Sequence, residues 1–348
     1  MFKNKNTWII FIVFSILCTF GAYKIFPKAF PIMNINLEMS RDDALSKAKE
    51  LSEQFDLGPL DNFQATTFGG DGDAQNYIEL DAGGASEFIH ILEKKYYEAY
   101  TWKVRHYKPD EVNEVWFKFT PEGNIYGFYE KLSDDLFLES LTESEAQSLA
   151  ESKSIQHWNV DLSNYDLVET KEDTKPSSRI DYTFVYNRND ISIGEEGEYR
   201  LKLVVSGNKL SNVEHYIKVP ETFNRKYEEM RSSNNTIASF ANYGLFIFYI
   251  LGGIVVGLFL LNKERWLLWK TATYWALFIS ILSVISGLNY MPLSWLGYDT
   301  AVSPQNFIMQ NMIFSLINGI ADFILILLSF VAAESLTRKA FPEHVQFW

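Results

Sequence analysis

The sequence predicts a membrane protein with four transmembrane helices and a soluble α+β domain built of two helix-on-antiparallel-sheet repeats. Three observations carry this expectation. Four apolar stretches reach membrane length, an acidic excess is confined to one block, and a helix-then-hairpin pattern occurs twice.

The charges divide the chain. Residues 33–235 hold 39 Asp and Glu against 22 Lys and Arg, a net of −17, whereas the rest of the chain sums to +4 and the whole to −13. The acidic block excludes a nucleic-acid surface, which is basic. Cys18 is the single cysteine and stands inside the first apolar run. No disulfide within the chain and no cysteine zinc site can be built from it. Ser15-Ile16-Leu17 lacks the small residue that a lipoprotein signal places before its cysteine, so Cys18 reads as a small apolar residue.

A bilayer core takes roughly 20 apolar residues in helix. The stretches 7–26, 243–262, 272–291 and 307–333 qualify. The first has a long apolar run and only Thr19 and Gly21 as a weak cleavage pattern, which favours an uncleaved anchor over a signal peptide. Basic residues set the orientation. Lys3 and Lys5 precede the first stretch, Lys263, Arg265 and Lys270 link the second to the third, and Arg338 and Lys339 follow the fourth. The link between third and fourth has only Asp299. The prediction is a multi-pass protein of the cell (inner) membrane with both termini cytoplasmic and residues 33–235 extracytoplasmic. Trp266 and Trp269 then fall at the inner interface, and Trp295 and Tyr298 at the outer one.

Within the outer block, MSRDDALSKAKELSEQFDLG (39–58) starts with the N-cap Ser40 and the capping-box acid Asp43. Ala44, Leu45, Ala48 and Leu51 follow at helical spacing, and Gly58-Pro59 is the expected stop. LTESEAQSLAESKSIQHWNV (141–160) repeats the plan with Thr142, Glu145, Ala146, Leu149 and Ala150. Strand runs follow each helix, 101–109 with 114–132 and 180–190 with 198–219. Each second run folds around a glycine-containing turn, PEGN or SGNK. Each unit is expected to lay one helix on an antiparallel sheet. The expected divisions are an anchor 1–32, repeats 33–138 and 139–235, and a three-helix membrane region 236–348. The stretch 219–244 carries Phe223, Tyr227 and Met230 at helical spacing and is expected to couple the outer block to the membrane.

The chemistry-bearing patterns are few. FGGDGDAQN (68–76) lacks the sixth-position glycine and closing glutamate of a calcium loop and reads as a flexible turn. His90, His106, His157, His215 and His344 form no His-Glu-x-x-His pair and read as surface or edge residues. In the membrane part, Asn311, Ser315, Asn318 and Asp322 share one helix face, and Gly253-x-x-x-Gly257 permits close helix approach. Polar side chains in a bilayer are costly when they face lipid, so these six residues are candidates for bundle packing or for docking further membrane helices.

The helix-strand-turn-strand plan of the outer block resembles a PepSY type of module. EEGEYR (195–200) matches the Glu-Glu-x-x-x-Arg motif of CPBP-type (CAAX protease and bacteriocin-processing) intramembrane metalloproteases, but it stands in the acidic block, follows Gly194 and starts a strand. The order anchor, outer region and membrane helices, with VPETFNRKYEEMRSSNN before the second stretch and AAESLTRKAFPEHVQFW after the fourth, resembles the N-terminal half of long bacterial CPBP-type proteins. The resemblance implies a sensing, gating or substrate-presenting non-catalytic half. No catalytic residue is carried over, no cofactor is expected in this chain, and zinc or a similar metal is expected only in a catalytic half beyond Trp348. Expected partners are the lipid bilayer, that catalytic half or other membrane helices, and an extracytoplasmic protein or peptide. The alternative is a stand-alone membrane-anchored binding or regulatory module. Whether the chain is itself an enzyme stays open.

Overall fold

The computed structural model describes residues 5–342. The chain divides into two compact units, Met1–Asn224 and Arg225–Trp348.

The first unit opens with α1 (Lys5–Ala29), whose residues Asn6–Pro27 are apolar and long enough to cross a membrane. Cys18 is exposed on it. Helix α2 (Arg41–Phe55) starts where predicted. The Asp43 carboxylate accepts from the Ser40 amide at 3.1 Å and the Ser40 hydroxyl at 2.6 Å, closing the capping box. The helix ends at Asp56, which adopts a left-handed conformation (φ 52°), two residues before the expected Gly58-Pro59. Ala44 and Ala48 are fully buried, so small side chains let the helix axis approach the sheet closely. Strand β1 (Phe63–Gly70), α3 (Gly72–Asp81) and α4 (Gly84–Glu93) follow, then β2 (Tyr100–Tyr107), β3 (Glu114–Phe119) and β4 (Ile125–Lys131). Helix α5 (Glu143–Trp158) repeats the α2 start, with Glu145 accepting from the Thr142 amide and hydroxyl at 2.9 and 2.7 Å. It leads into β5 (Tyr165–Thr174), β6 (Ile180–Arg188), β7 (Glu198–Ser206) and β8 (Lys209–Lys218).

The eight strands form one antiparallel sheet in the order β1-β2-β3-β4-β8-β7-β6-β5. The sequence predicts a sheet for each repeat. Instead, two four-stranded meanders are joined edge to edge through their last strands, with Phe128 opposite Val213 and Tyr129 opposite Asn212. Joining them turns two exposed edges into paired backbone. Trp102, Val104, Phe117, Phe128, Phe184, Leu201, Leu203 and Val213 form the core with Ala44, Ala48, Ala146, Ala150 and Trp158 of the two helices. The period-2 alternation of β3 and β7 reflects this one-sided burial.

Two further expectations are corrected here. Residues 68–76 are not a flexible turn, because Phe68–Gly70 end β1 and Asp71 caps α3, accepting from the Ala74 amide at 3.1 Å. His106 is not a surface residue. It is fully buried on β2, with Nε2 sharing a 2.8 Å hydrogen bond with Gln64, and burial lowers its pKa to about 4. His215 is half-buried, whereas His90 is exposed and His344 lies outside the described residues.

The helix that starts at Glu221, in the last residues of the first unit, runs to Lys263 as α6 (Glu221–Ile247), a π-helical stretch Phe248–Val255, and α7 (Val256–Lys263). Helices α8 (Trp269–Ser294) and α9 (Pro304–Ala340) follow. With α1, the chain thus has four helices long and apolar enough to cross a membrane among the described residues.

Candidate functional site

The sheet's alternation carries one row of side chains past the end of its helical cover. Tyr126 is two residues before the core residue Phe128 on β4, His215 two after Val213 on β8, and Tyr199 two before Leu201 on β7. Tyr199 and His215 therefore share the core-facing side, and Tyr126, the residue skipped where the β3–β4 register shifts, joins them through its stack on His215. Helix α5 stops above them at Trp158, where Asn159 takes a left-handed conformation (φ 56°). The Trp158 ring stacks on Phe128 at 3.9 Å. Beyond that stack the floor is open.

Here a cleft of about 300 Å3 is lined by Glu98, Tyr126, Trp158, Tyr165, Arg188 and His215 among others. Tyr126 stacks on His215 with ring centroids 4.8 Å apart and planes 21° apart. The Tyr199 hydroxyl shares hydrogen bonds with His215 Nδ1 at 2.9 Å and the Tyr126 hydroxyl at 3.3 Å. Arg188 lies over Tyr199 and Tyr165 at 5.2 and 5.9 Å and is clamped by both Asp190 oxygens at 2.7 and 3.0 Å. Lys95 is tied to Glu122 at 2.5 Å.

A second cleft of about 310 Å3 is also lined by Glu98, Tyr126 and His215, together with Asp71, Asp73, Lys103, Lys118 and Glu214. Lys103, Lys118 and Glu214 belong to the opposite alternation of their strands, so this cleft opens on the other side of the sheet. The reason both clefts meet at these residues is the seam. The β4–β8 pairing is confined to Phe128–Val213 and Tyr129–Asn212, and a Cβ on the adjoining Gly127 would fall 2.3 Å from the Val213 carbonyl oxygen. Only glycine permits that approach.

Burial controls the titration of the site. It pushes the Tyr126 and Tyr199 phenols well above their ordinary range. It lowers His215 to about 3, helped by the positive charges of Arg188 and Lys118, so the ring is neutral. It raises Glu98 to about 7, with the Glu122 charge adding to the rise and Lys95 opposing it. Among the described residues, no three His, Cys, Asp or Glu side chains converge where a metal ion could sit.

The residues singled out in the sequence lie elsewhere. Glu195 and Glu196 occupy the turn before β7, and Glu196 accepts from the Thr222 hydroxyl at 3.2 Å. In the second unit, Gly257 meets α9, where an added Cβ would lie 3.2 Å from Leu336 and 3.8 Å from Ala332. Gly253 meets only Tyr249 of its own helix. The π-helical hydrogen bonding of 248–255 widens the turn, so residues four apart no longer stack and the Gly-x-x-x-Gly face is split.

The polar stripe of α9 is split too. Asp322 accepts from the Ser283 hydroxyl of α8 at 2.6 Å, and an added Cβ on Gly287 of α8 would strike Ser315 at 2.7 Å. Asn311 donates to the Phe307 carbonyl of its own helix at 2.9 Å, and Asn318 is exposed. The α8–α9 contact is completed by Ser280, whose hydroxyl donates to the Gly319 carbonyl at 2.7 Å.

Sequence reasoning missed Tyr126, Tyr199, His215 and Glu98. Their signal is weak, since three strands and a loop bring them together. Parity with Leu201 and Val213 points to Tyr199 and His215 alone. Comparison of the chain with protein-family models, with curated proteins and with solved structures gives no match.

Proposed function

We propose that this chain is a membrane-tethered recognition module, the sensing, gating or substrate-presenting partner of a CPBP-type intramembrane protease. Its eight-stranded domain lies outside the cytoplasm and binds an extracytoplasmic peptide or protein in the Tyr126–Tyr199–His215 cleft. The observation that carries this reading is that cleft, a concave site of ligand size with rigid aromatic walls on a sheet scaffold. The acidic outer block, the basic ends of the membrane stretches and the PepSY-like order of elements support the topology and the family resemblance. Metal chemistry in this reading belongs to the catalytic partner.

A second reading, a stand-alone regulatory module, draws on one feature. Every residue lining the cleft comes from residues 95–215, so recognition needs no second chain.

Photo-crosslinking residues installed at Tyr165 and at Asn318 in cell membranes test both readings. Capture of a membrane protease at Asn318 together with an outer partner at Tyr165 supports the first. Capture at Tyr165 alone supports the second. Capture at neither position overturns both.

A further inference from the structure

We propose that the Tyr126 cleft takes an organic cation, the ammonium or guanidinium of a basic peptide side chain, with Glu98 as its counter-charge. The inference rests on the cleft being the recognition site and names the chemistry of its ligand.

The charges around the cleft leave an unmatched carboxylate. Arg188 is neutralised by two hydrogen bonds to Asp190, and Lys95 by Glu122. The Glu98 carboxylate has no hydrogen-bond or ion-pair partner among the described residues, and it feels the charges of both Glu122 and Lys95. The second oxygen of Glu122 is buried and makes no hydrogen bond either. Two carboxylates therefore share one lysine, and a second cation is what the group lacks. The neighbouring walls are of a kind that takes cations, since Arg188 already lies over the rings of Tyr165 and Tyr199. Tyr126, Tyr165, Tyr199 and Trp158 all line the same cleft. The net −17 of residues 33–235 draws cations from a distance. An anion fits poorly, since both basic side chains are already matched. A metal ion also fits poorly, since among the described residues no third ligand converges with the two carboxylates.

The test uses the full chain in detergent micelles and calorimetric titration with a capped trilysine peptide, its triglutamate counterpart and spermidine. The expected result is that trilysine binds and triglutamate does not. E98Q should weaken trilysine binding about tenfold or more, the scale of a lost charge-assisted contact. E172Q, which removes the same charge from the exposed strand β5, should leave the affinity within about twofold. Spermidine binding tighter than trilysine still supports the cation and makes a free polyamine its source. Equal weakening by E98Q and E172Q would reduce the effect to a diffuse acidic field and overturn the proposal, as would no binding of either cation. If E98Q does not fold, the acetyl-lysine form of the peptide decides on the unaltered protein, because removing the ligand's charge must abolish binding. Binding of triglutamate, crosslinked at Tyr165, would overturn the cation while leaving the recognition site in place.

Discussion

Phe128 of β4 and Val213 of β8 face one another directly, and with Tyr129 and Asn212 they make the backbone pairing found between the two halves of the sheet among the described residues. Gly127 adjoins this pair and lies against the Val213 carbonyl. Gly127→Ala must push the strands apart and is expected to destabilise the domain by roughly 1–3 kcal/mol, the range for overpacking. Gly69→Ala, with nothing within 4 Å of its added Cβ, should leave the melting temperature almost unchanged. Equal shifts for the two variants would show that the seam is not under close steric control.

Acid should weaken the sheet domain through its histidines. His215 and His106 have folded pKa values of about 3 and about 4, below the ordinary 6.5. The unfolded chain therefore binds more protons than the folded one between those values and 6.5. Their contribution is full above pH 6.5 and is lost as pH falls toward 3–4. Glu98 acts in the opposite sense. Its raised pKa makes its contribution full below about 4.5 and lost as pH rises through about 7. Urea midpoints at pH 7 and pH 5 should fall with acid for the intact protein. The fall should be steeper in E98Q, which lacks the compensating carboxyl. A midpoint indifferent to pH would sink this account.

The two capping boxes should contribute alike. Ser40→Ala and Thr142→Ala each remove a side-chain cap, at a cost of about 1 kcal/mol. They sit on different helices, so the double variant should lose close to the sum. Thermal melts of the three variants check this.

These caps were legible in the sequence because a capping box lies within four residues. Six of the eight strands were legible for a related reason, since alternation such as that of EVWFKF records a one-sided environment. Strand β1 was not. FQATTFGG ends in two glycines beside Asp71, which reads as a turn, and its strand form depends on pairing from Phe63–Tyr107 to Gly70–Tyr100. Strand β5 was hidden by Glu169, Lys171, Glu172 and Asp173, charges suited to an exposed edge. The cleft was not legible, because no local pattern places Glu98 beside Tyr126 and His215. In the membrane part the polar stripe was visible, but its division between Ser283-bound Asp322 and exposed Asn318 depends on where α8 lies.

That division makes a prediction about docking. Asp322→Leu removes the carboxylate that accepts from Ser283 and should loosen the α8–α9 pair. Asn318→Leu removes an exposed amide and should leave that pair intact while reducing association with other membrane helices. Crosslinking between cysteines placed on α8 and α9, read beside pull-down of membrane partners, separates the effects. The proposal of a docking face fails if Asn318→Leu leaves partner recovery unchanged.

Topology is open to a direct check because Cys18 is the single native cysteine. In a Cys18→Ala background, Glu172→Cys should react with a membrane-impermeant thiol reagent on intact cells. Arg265→Cys should react only after permeabilisation. The reverse pattern would place the sheet domain in the cytoplasm and remove the ground for an extracytoplasmic ligand.

The strand order also constrains how the molecule is made. In the first half, β2 to β4 can pair across short connections as soon as they are synthesised, and β1 joins β2 once α3 and α4 between them have formed. The inner edge of this half, however, is completed by β8, the last strand of all. Between those two moments, β4 presents an unpaired backbone edge while all of α5 and β5–β7 are still to be built. Pairing between residues 128 and 213 has the longest loop to close and comes after the local turns. The interval before β8 arrives is when the growing chain is most exposed to pairing with the wrong strand.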